Sequence, residues 1–451
     1  MLNLTSHSSN TLNGRIMLPG DKSISHRSLI FGSIAKGVTK ITGLLEGDDV
    51  MSTRAALVAL GAKISNNVED GVSVWTVEGM GLGAFKTPER PLDLGNSGTG
   101  ARLLMGLIAG SGITAVFTGD ASLSKRPMAR ITDPLAQMGA RVEAREGTYL
   151  PLTIAAPDQP MALNWNSPHA SAQVKSAILL AGLTARGRTE VTEPKASRDH
   201  TEAMLRHFGV SVSTTTHDDG SYTAALDGEV SLTANDIIVP ADPSSAAFLT
   251  VAALITPDAD ITLEAVGTNP LRFGVFTTLM EMGGDITLMN ERLEGGEAVA
   301  DIRVRSSALK GITVPKERAA SMIDEYPILS IAAATATGTT HMEGVAELRV
   351  KETDRIALMA DGLKAAGVTV SETEDSMTVE GMGTTEGRAG EPIAGGITVD
   401  ACHDHRIAMS FLTLGLITAA PMRVEGAETI ATSFPNFVDL MNEIGADIKE
   451  S

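Results

Sequence analysis

One pattern, met six times, limits what this chain can fold into: an apolar residue, two of any kind, a second apolar residue, then Gly-x-x-Ile/Val. It reads Leu57-x-x-Leu60-Gly61-x-x-Ile64, Leu135-x-x-Met138-Gly139-x-x-Val142 and Leu205-x-x-Phe208-Gly209-x-x-Val212. It returns as Leu279-x-x-Met282-Gly283-x-x-Ile286, Leu363-x-x-Ala366-Gly367-x-x-Val370 and Met441-x-x-Ile444-Gly445-x-x-Ile448. Such a pattern predicts an amphipathic helix, a left-handed Gly cap and an immediate strand. The glycines lie 70–84 residues apart, too far for solenoid repeats, so each copy marks a small αβ subdomain.

A second signal keeps the same beat. Ser28 to Ala35, Ala101 to Ala109, Ala172 to Leu183, Ser245 to Leu254, Ile323 to Ala336 and Ile407 to Thr418 are apolar or small on nearly every face. A helix without a polar face is a buried helix. Segments such as Val72 to Val77 and Ile302 to Val304 read as strands between them. Thr76-Val77-Glu78-Gly79-Met80-Gly81 is echoed by Thr378-Val379-Glu380-Gly381-Met382-Gly383, which points to one half having been duplicated. The expectation is six αβ units, three to a domain, since 451 residues exceed one ordinary core.

Composition narrows the partners. With 43% hydrophobic and 20% charged residues, the chain reads as soluble and globular. A net charge of −19 argues against nucleic acid and anionic membrane. Cys402 is the single cysteine, so no internal disulfide forms, which suits a reducing cytoplasm. The first ten residues lack the basic and apolar regions of an export signal, and uncharged runs such as Ile407 to Met422 are too short and interrupted to span a bilayer.

The polar residues gather before these helices. Pro19-Gly20-Asp21-Lys22-Ser23-Ile24-Ser25-His26-Arg27 is a turn into a helix that Ser23 or Ser25 would cap, with a lysine, a hydroxyl and an arginine around its first turn. Helix starts favour anions. Taken alone, the stretch reads equally as a capped surface helix. Gly95-Asn96-Ser97-Gly98-Thr99 is a Gly-rich turn, Ser122 to Arg126 brings two cations before Pro127, and Ser171-Ala172-Gln173 opens another buried helix. Asp324-Glu325 precedes an apolar run whose burial would suit a carboxylate base, or simply a helix start. Arg349 to Arg355 reads alternatively as a salt-bridged surface helix with pairs Lys351–Asp354 and Glu352–Arg355. His403 and His405 face different ways, so no metal site is expected.

Together these motifs resemble the 3-phosphoshikimate 1-carboxyvinyltransferase (EPSP synthase) family. The resemblance rests on Pro19 to Arg27, Gly95 to Thr99, Gly119-Asp120-x4-Lys125-Arg126-Pro127-Met128, Asp324 to Pro327, Glu347 to Arg355 and Asp404 to Met409, in order along nearly the whole chain. It implies an α/β fold: a two-domain inside-out α/β barrel of six βαβαββ repeats, residues 20–240 forming one domain and 1–19 with 241–451 the other, closing over the substrates. The implied reaction moves the enolpyruvyl group of phosphoenolpyruvate to the 5-hydroxyl of shikimate 3-phosphate and releases phosphate, in a cytoplasmic monomer without metal or organic cofactor.

Carried over by position, Ser23 and Arg27 resemble the binders of the shikimate carboxylate, and Ser171, Ala172 and Arg198 those of the 3-phosphate. Lys22, Arg126 and Gln173, with Gly98 and Thr99, correspond to the surroundings of the phosphoenolpyruvate phosphate; Lys22 and Gln173 also border shikimate 3-phosphate. Arg355 and Arg406 correspond to a clamp on the phosphoenolpyruvate carboxylate. Asp324 matches the base for the 5-hydroxyl, with Lys351 beside it, and Glu352 or Lys22 the donor to the methylene carbon.

Two departures stand out. Thr432 precedes Ser433-Phe434-Pro435 where many members carry lysine, and Ala172 replaces a second serine. Both resemble the class II bacterial branch. Glyphosate competes with phosphoenolpyruvate in this family, and class II members with alanine in place of Gly98 are associated with tolerance. The alternatives differ in kind. UDP-N-acetylglucosamine enolpyruvyl transferases use Lys-Asn rather than Lys22-Ser23 and a cysteine in the loop matching Ser122 to Met128. A noncatalytic anion-binding repeat protein would not need Asp324 and Glu352 among so many cations.

Overall fold

A computed structural model describes residues 2–383 and 392–451. The chain divides into an amino lobe, Gly20–Val239 with Glu294–Glu297, and a carboxy lobe, formed by the chain up to Pro19, Pro240–Leu293 and Ala298–Ser451. Among the described residues, each lobe carries three four-stranded sheets. Three buried helices fill each: Lys22–Ile34, Gly98–Ala109 and Ala172–Gly182 in the amino lobe, and Pro243–Ile255, Tyr326–Thr335 and His405–Leu414 in the carboxy lobe. Every residue of Pro243–Ile255 is buried, which is why that segment has no polar face.

After each buried helix come a strand, a second helix and the capping glycine. All six pattern glycines have positive φ, from 85° to 115°, the conformation in which glycine costs least. The second helices are Asp48–Ala59, Ala129–Gln137, His200–His207, Gly274–Glu281, Arg355–Ala365 and Phe437–Glu443. The sheets share one topology. In the first, Ile237–Ile238 runs parallel to Lys36–Thr42, which pairs antiparallel with Val72–Met80, which pairs antiparallel with Lys63–Glu69.

Two slots are filled from far away in sequence. Asn3–His7 pairs with Met422–Glu425 and Asp447–Glu450, taking the place that a hairpin strand holds in other repeats. Asn13–Met17 runs parallel to Asp260–Gly267. Nothing local in the sequence announces these pairings.

The echoed strands have a packing cause. A Cβ on Gly79 would stand 2.2 Å from the Ala35 carbonyl oxygen, and one on Gly381 2.2 Å from that of Ala336. In both repeats the buried helix ends hard against the sheet, and only glycine fits. Among the described residues no helix is long and apolar enough to cross a membrane.

Candidate active site

In the amino lobe, the first buried helix begins at Lys22. Its cap is Asp21, whose carboxylate accepts from the Ile24 N–H at 2.8 Å, so Ser23 and Ser25 are not the caps expected from sequence. Asp21 wins because it sits one residue before the helical backbone, where a side-chain acceptor reaches the free N–H groups. Ser25 instead accepts from the Leu45 N–H. Lys22 is paired with Asp49 from the second helix.

Arg27 is buried, and three neutral acceptors hold its guanidinium. Nε donates to Thr201 Oγ1 at 2.7 Å, Nη1 to the Ser23 carbonyl at 2.9 Å and Nη2 to Ser176 Oγ at 2.8 Å. Burial brings its pKa down to about 10; attraction to Glu202 and Asp21 opposes this, and the charge of Arg198 adds to it. Arg27 and Arg198 thus feel each other as like charges, a condition an anion relieves. His26 is held well below its ordinary pKa by burial and by Lys22 and Arg27, so it is neutral; its Nδ1 lies 2.8 Å from Thr53 Oγ1.

The second and third buried helices are joined by Gln173. Arg102 Nη1 donates to Gln173 Oε1 at 2.7 Å, and Gln173 Nε2 donates to Thr99 Oγ1 at 3.0 Å. Arg126 Nη2 donates to Asn96 Oδ1 at 2.6 Å and Ser122 Oγ at 3.2 Å. Gly98 opens its helix beneath these two arginines: an added Cβ would stand 3.0 Å from Arg102 Nη1 and 3.1 Å from Arg126 Nη1. Arg102 closes the Gly95 to Arg102 stretch and is a site neighbour to which the sequence assigned no role. Its signal was spacing, since i+4 from Gly98 returns to the same helix face.

In the carboxy lobe, Asp324, Lys351, Glu352, Arg355 and Arg406 come together. Arg355, with its side chain 1% exposed, lies among three carboxylates. Its Nε donates to Asp404 Oδ2 at 2.8 Å, Nη2 to Glu352 Oε2 at 2.5 Å and Nη1 to Asp324 Oδ1 at 3.4 Å. Burial opposes its charge, yet Asp404 and Glu352 raise its pKa above the ordinary arginine value. Arg406 Nη1 donates to the Asp324 carbonyl at 2.8 Å and lies 3.4 Å from Glu325 Oε1. Glu325 Oε1 also accepts from Ser244 Oγ at 2.5 Å, and Ser244 Oγ accepts from Arg272 at 2.7 Å.

Several expectations change here. Arg349 to Arg355 is not a surface helix: a 3-10 turn spans Ala346–Val350 and the helix starts at Arg355, capped by Asp354. Asp354 is occupied by that cap and by Arg349, so Lys351 pairs with Glu347 at 2.9 Å and Asp324 at 3.4 Å instead. The Glu352–Arg355 pair does form. Asp324 is not sunk in apolar surroundings; it is 18% exposed and faces two cations. Thr432 Oγ1 lies 3.4 Å from His405 Nδ1.

The family model for EPSP synthase (3-phosphoshikimate 1-carboxyvinyltransferase) matches residues 7–441. A 3-phosphoshikimate 1-carboxyvinyltransferase from Parvibaculum lavamentivorans is 55% identical over 98% of this chain and 96% of its own, and one from Rhodospirillum rubrum is 52% identical over 99% and 97%. The solved EPSP synthase of Acinetobacter baumannii superposes with a TM-score of 0.88 at 47% identity, covering both chains in full. The enolpyruvyl transferase NikO from Streptomyces tendae shares the fold alone, with a TM-score of 0.75 at 18% identity over 100% of this chain and 99% of that one. The chain therefore belongs to the EPSP synthase (3-phosphoshikimate 1-carboxyvinyltransferase) family and has the two-domain, six-repeat enolpyruvyl transferase fold.

Proposed function

We propose that this protein transfers the enolpyruvyl group of phosphoenolpyruvate to the 5-hydroxyl of shikimate 3-phosphate, releasing inorganic phosphate, on the shikimate route to chorismate and the aromatic amino acids. It acts as a cytoplasmic monomer without metal or organic cofactor. The observation that carries the reading is positional: the candidate residues sit at or just before helix N-termini, where backbone N–H groups and side-chain cations add together for anions.

Ser23 and Arg27 take the shikimate carboxylate, and Ser171, Ala172 and Arg198 its 3-phosphate. Lys22, Arg126 and Gln173, with Gly98 and Thr99, receive the phosphate of phosphoenolpyruvate. Arg406 and the Nη1 edge of Arg355 hold its carboxylate. Asp324 accepts the proton of the 5-hydroxyl as that oxygen attacks C2 of phosphoenolpyruvate, and C3 takes a proton from Glu352 or Lys22. The tetrahedral intermediate then loses a proton from the new methyl group and expels phosphate, restoring the double bond. Asp324 is suited to the base role by its place between Lys351 and Arg355, which fix its carboxylate, rather than by apolar burial.

Glyphosate competes for the phosphoenolpyruvate place. Gly98 leaves room below Arg102 and Arg126 that a methyl group would take. The test of the whole reading is phosphate release: it should require both substrates together, and its absence at millimolar concentrations of both would refute the assignment.

A further inference from the structure

Beneath the amino-lobe cluster lies a buried charged group that the reaction above does not use. Lys175, Glu193 and Glu202 have side chains exposed by 0%, 1% and 0%. Lys175 Nζ lies 3.1 Å from Glu193 Oε2 and 2.9 Å from Glu202 Oε1, donates to the Ser197 carbonyl at 3.2 Å, and sits 4.9 Å from the Tyr222 ring centroid. Burial disfavours its charge, but Glu202 and Glu193 outweigh that and raise its pKa. Removing three ionised groups from water is costly, and a hydrophobic trio of like volume would hold the fold as well. Something else in the geometry accounts for the trio.

Glu193 shows what. Its Oε1 accepts from the backbone N–H of Ser171 at 2.5 Å, and its Oε2 accepts from Ser197 Oγ at 2.6 Å. One carboxylate therefore ties the residue before the third buried helix to the segment that carries Arg198. Ser171 occupies the cap position of Ala172–Gly182 yet makes no side-chain capping bond; its backbone is fixed by Glu193, and its hydroxyl is not spent on the helix. Lys175 clamps the same two parts from below, since its own N–H donates to the Ser171 carbonyl at 3.0 Å while Nζ holds the Ser197 carbonyl.

We propose that Glu193, held by Lys175, is a positioning residue for the 3-phosphate end of shikimate 3-phosphate: it sets the distance between the Ser171 hydroxyl and the Arg198 guanidinium without touching substrate. The inference rests on the assignment of Ser171 and Arg198 to that phosphate. The two oxygens of one carboxylate serve both arms and Lys175 at once. A glutamine there offers one acceptor oxygen, and its NH2 must face either the Ser171 N–H or the Ser197 hydroxyl and Lys175 ammonium. Both hydrogen bonds that Glu193 accepts, from the Ser171 N–H and the Ser197 hydroxyl, have a carboxylate acceptor, the kind whose loss costs most.

The test compares the parent enzyme with E193Q and with S197A, which removes one arm and leaves every charge in place. KM for shikimate 3-phosphate should rise at least ~10-fold in E193Q and ~3–10-fold in S197A, as expected for losing charged and single hydrogen bonds. KM for phosphoenolpyruvate and kcat should stay within about threefold, the signature of lost ground-state binding rather than lost chemistry. Affinity for shikimate itself, which lacks the phosphate, should be unchanged. The proposal is overturned if the folded variants keep the parent KM for shikimate 3-phosphate within about twofold, or if shikimate and its 3-phosphate weaken equally. Should E193Q not fold, S197A decides alone by the same criteria. A parent enzyme that turns over neither substrate would instead refute the reading on which the proposal rests.

Discussion

Arg27, in the second turn of its helix, and Arg355, the first residue of its own, are both buried arginines, one in each lobe, and their surroundings are opposite. Arg27 is held by two hydroxyls and a carbonyl, and burial draws its pKa down to about 10. Arg355 is held by Asp404, Glu352 and Asp324, and its pKa goes up in spite of burial. Other arginines of each lobe differ in the same way, although the first amino-lobe helix is also capped by an acid, Asp21, and Lys22 pairs with Asp49. In the carboxy lobe all three buried helices start beside an acid: Asp242, Glu325 and Asp404, each within reach of an arginine. In the amino lobe, Arg126 and Arg102 rest on amide and hydroxyl oxygens. One repeat architecture thus carries two electrostatic designs. Arg27, Arg102 and Arg126 of the amino lobe bond to neutral oxygens, whereas Arg272, Arg355 and Arg406 of the carboxy lobe lie against carboxylates.

If that contrast is right, removing the acid from the carboxy lobe should hurt chemistry most. Asp324→Ala is expected to lower turnover by ~10²–10⁴-fold, the usual contribution of a general base, while phosphoenolpyruvate binding changes far less. Steady-state kinetics decide it, and more than half the parent turnover would remove Asp324 from the role. Next comes Arg355→Met, which takes the shared cation from Asp404, Glu352 and Asp324; Asp324 keeps Lys351, but Asp404 is fully buried. Leaving buried charge without its partner costs about 3–5 kcal/mol, visible as a lower midpoint of urea unfolding.

A smaller effect tests the amino lobe. Gly98→Ala should raise the glyphosate inhibition constant at least ~10-fold, since one misplaced methyl discriminates by about 1–3 kcal/mol, with a lesser rise in phosphoenolpyruvate KM if the two guanidinium groups, 3.0 and 3.1 Å from the added Cβ, shift by a few tenths of an ångström. Equal shifts in both constants would defeat the steric account. The smallest effect concerns His26, whose folded pKa lies below that of the unfolded chain. The unfolded state then binds the extra proton, so stability is full above about pH 6.5 and falls as the pH drops towards the folded pKa. The slope, at most about 1.4 kcal/mol per pH unit, should be absent in His26→Gln; identical slopes would show that His26 is not the group involved.

The sequence made part of this legible because part of it is local. A Gly cap is written in a few residues, and Gly61 through Gly445 all adopt the left-handed conformation their pattern demands. Helices apolar all round, such as Pro243–Ile255, could be read from composition alone. What stayed hidden depends on distant partners. Asn3–His7 belongs to a sheet otherwise built from residues 398–450, and no local pattern encodes that pairing. The residue types of the candidate site were visible, but not that Thr201 and Ser176 neutralise nothing at Arg27 while Asp404 does at Arg355. The surface-helix alternative failed for the same reason, since Asp354 is committed to Arg349 and a helix cap, and Lys351 lies beside Asp324 as the resemblance implied.

The contrast between the lobes comes to a point in Arg27→Met, with stability and ligand binding measured on the same sample. Arg27 bonds to no carboxylate, although Glu202 and Asp21 attract it, so its loss should cost less stability than that of Arg355, about 1–3 kcal/mol in urea unfolding for the acceptors left behind. Calorimetric titration should show shikimate 3-phosphate binding weakened at least ~10-fold, as for the loss of charged hydrogen bonds. A variant that loses about 3 kcal/mol of stability or more, yet binds shikimate 3-phosphate as the parent does, would make Arg27 a structural residue and contradict the account.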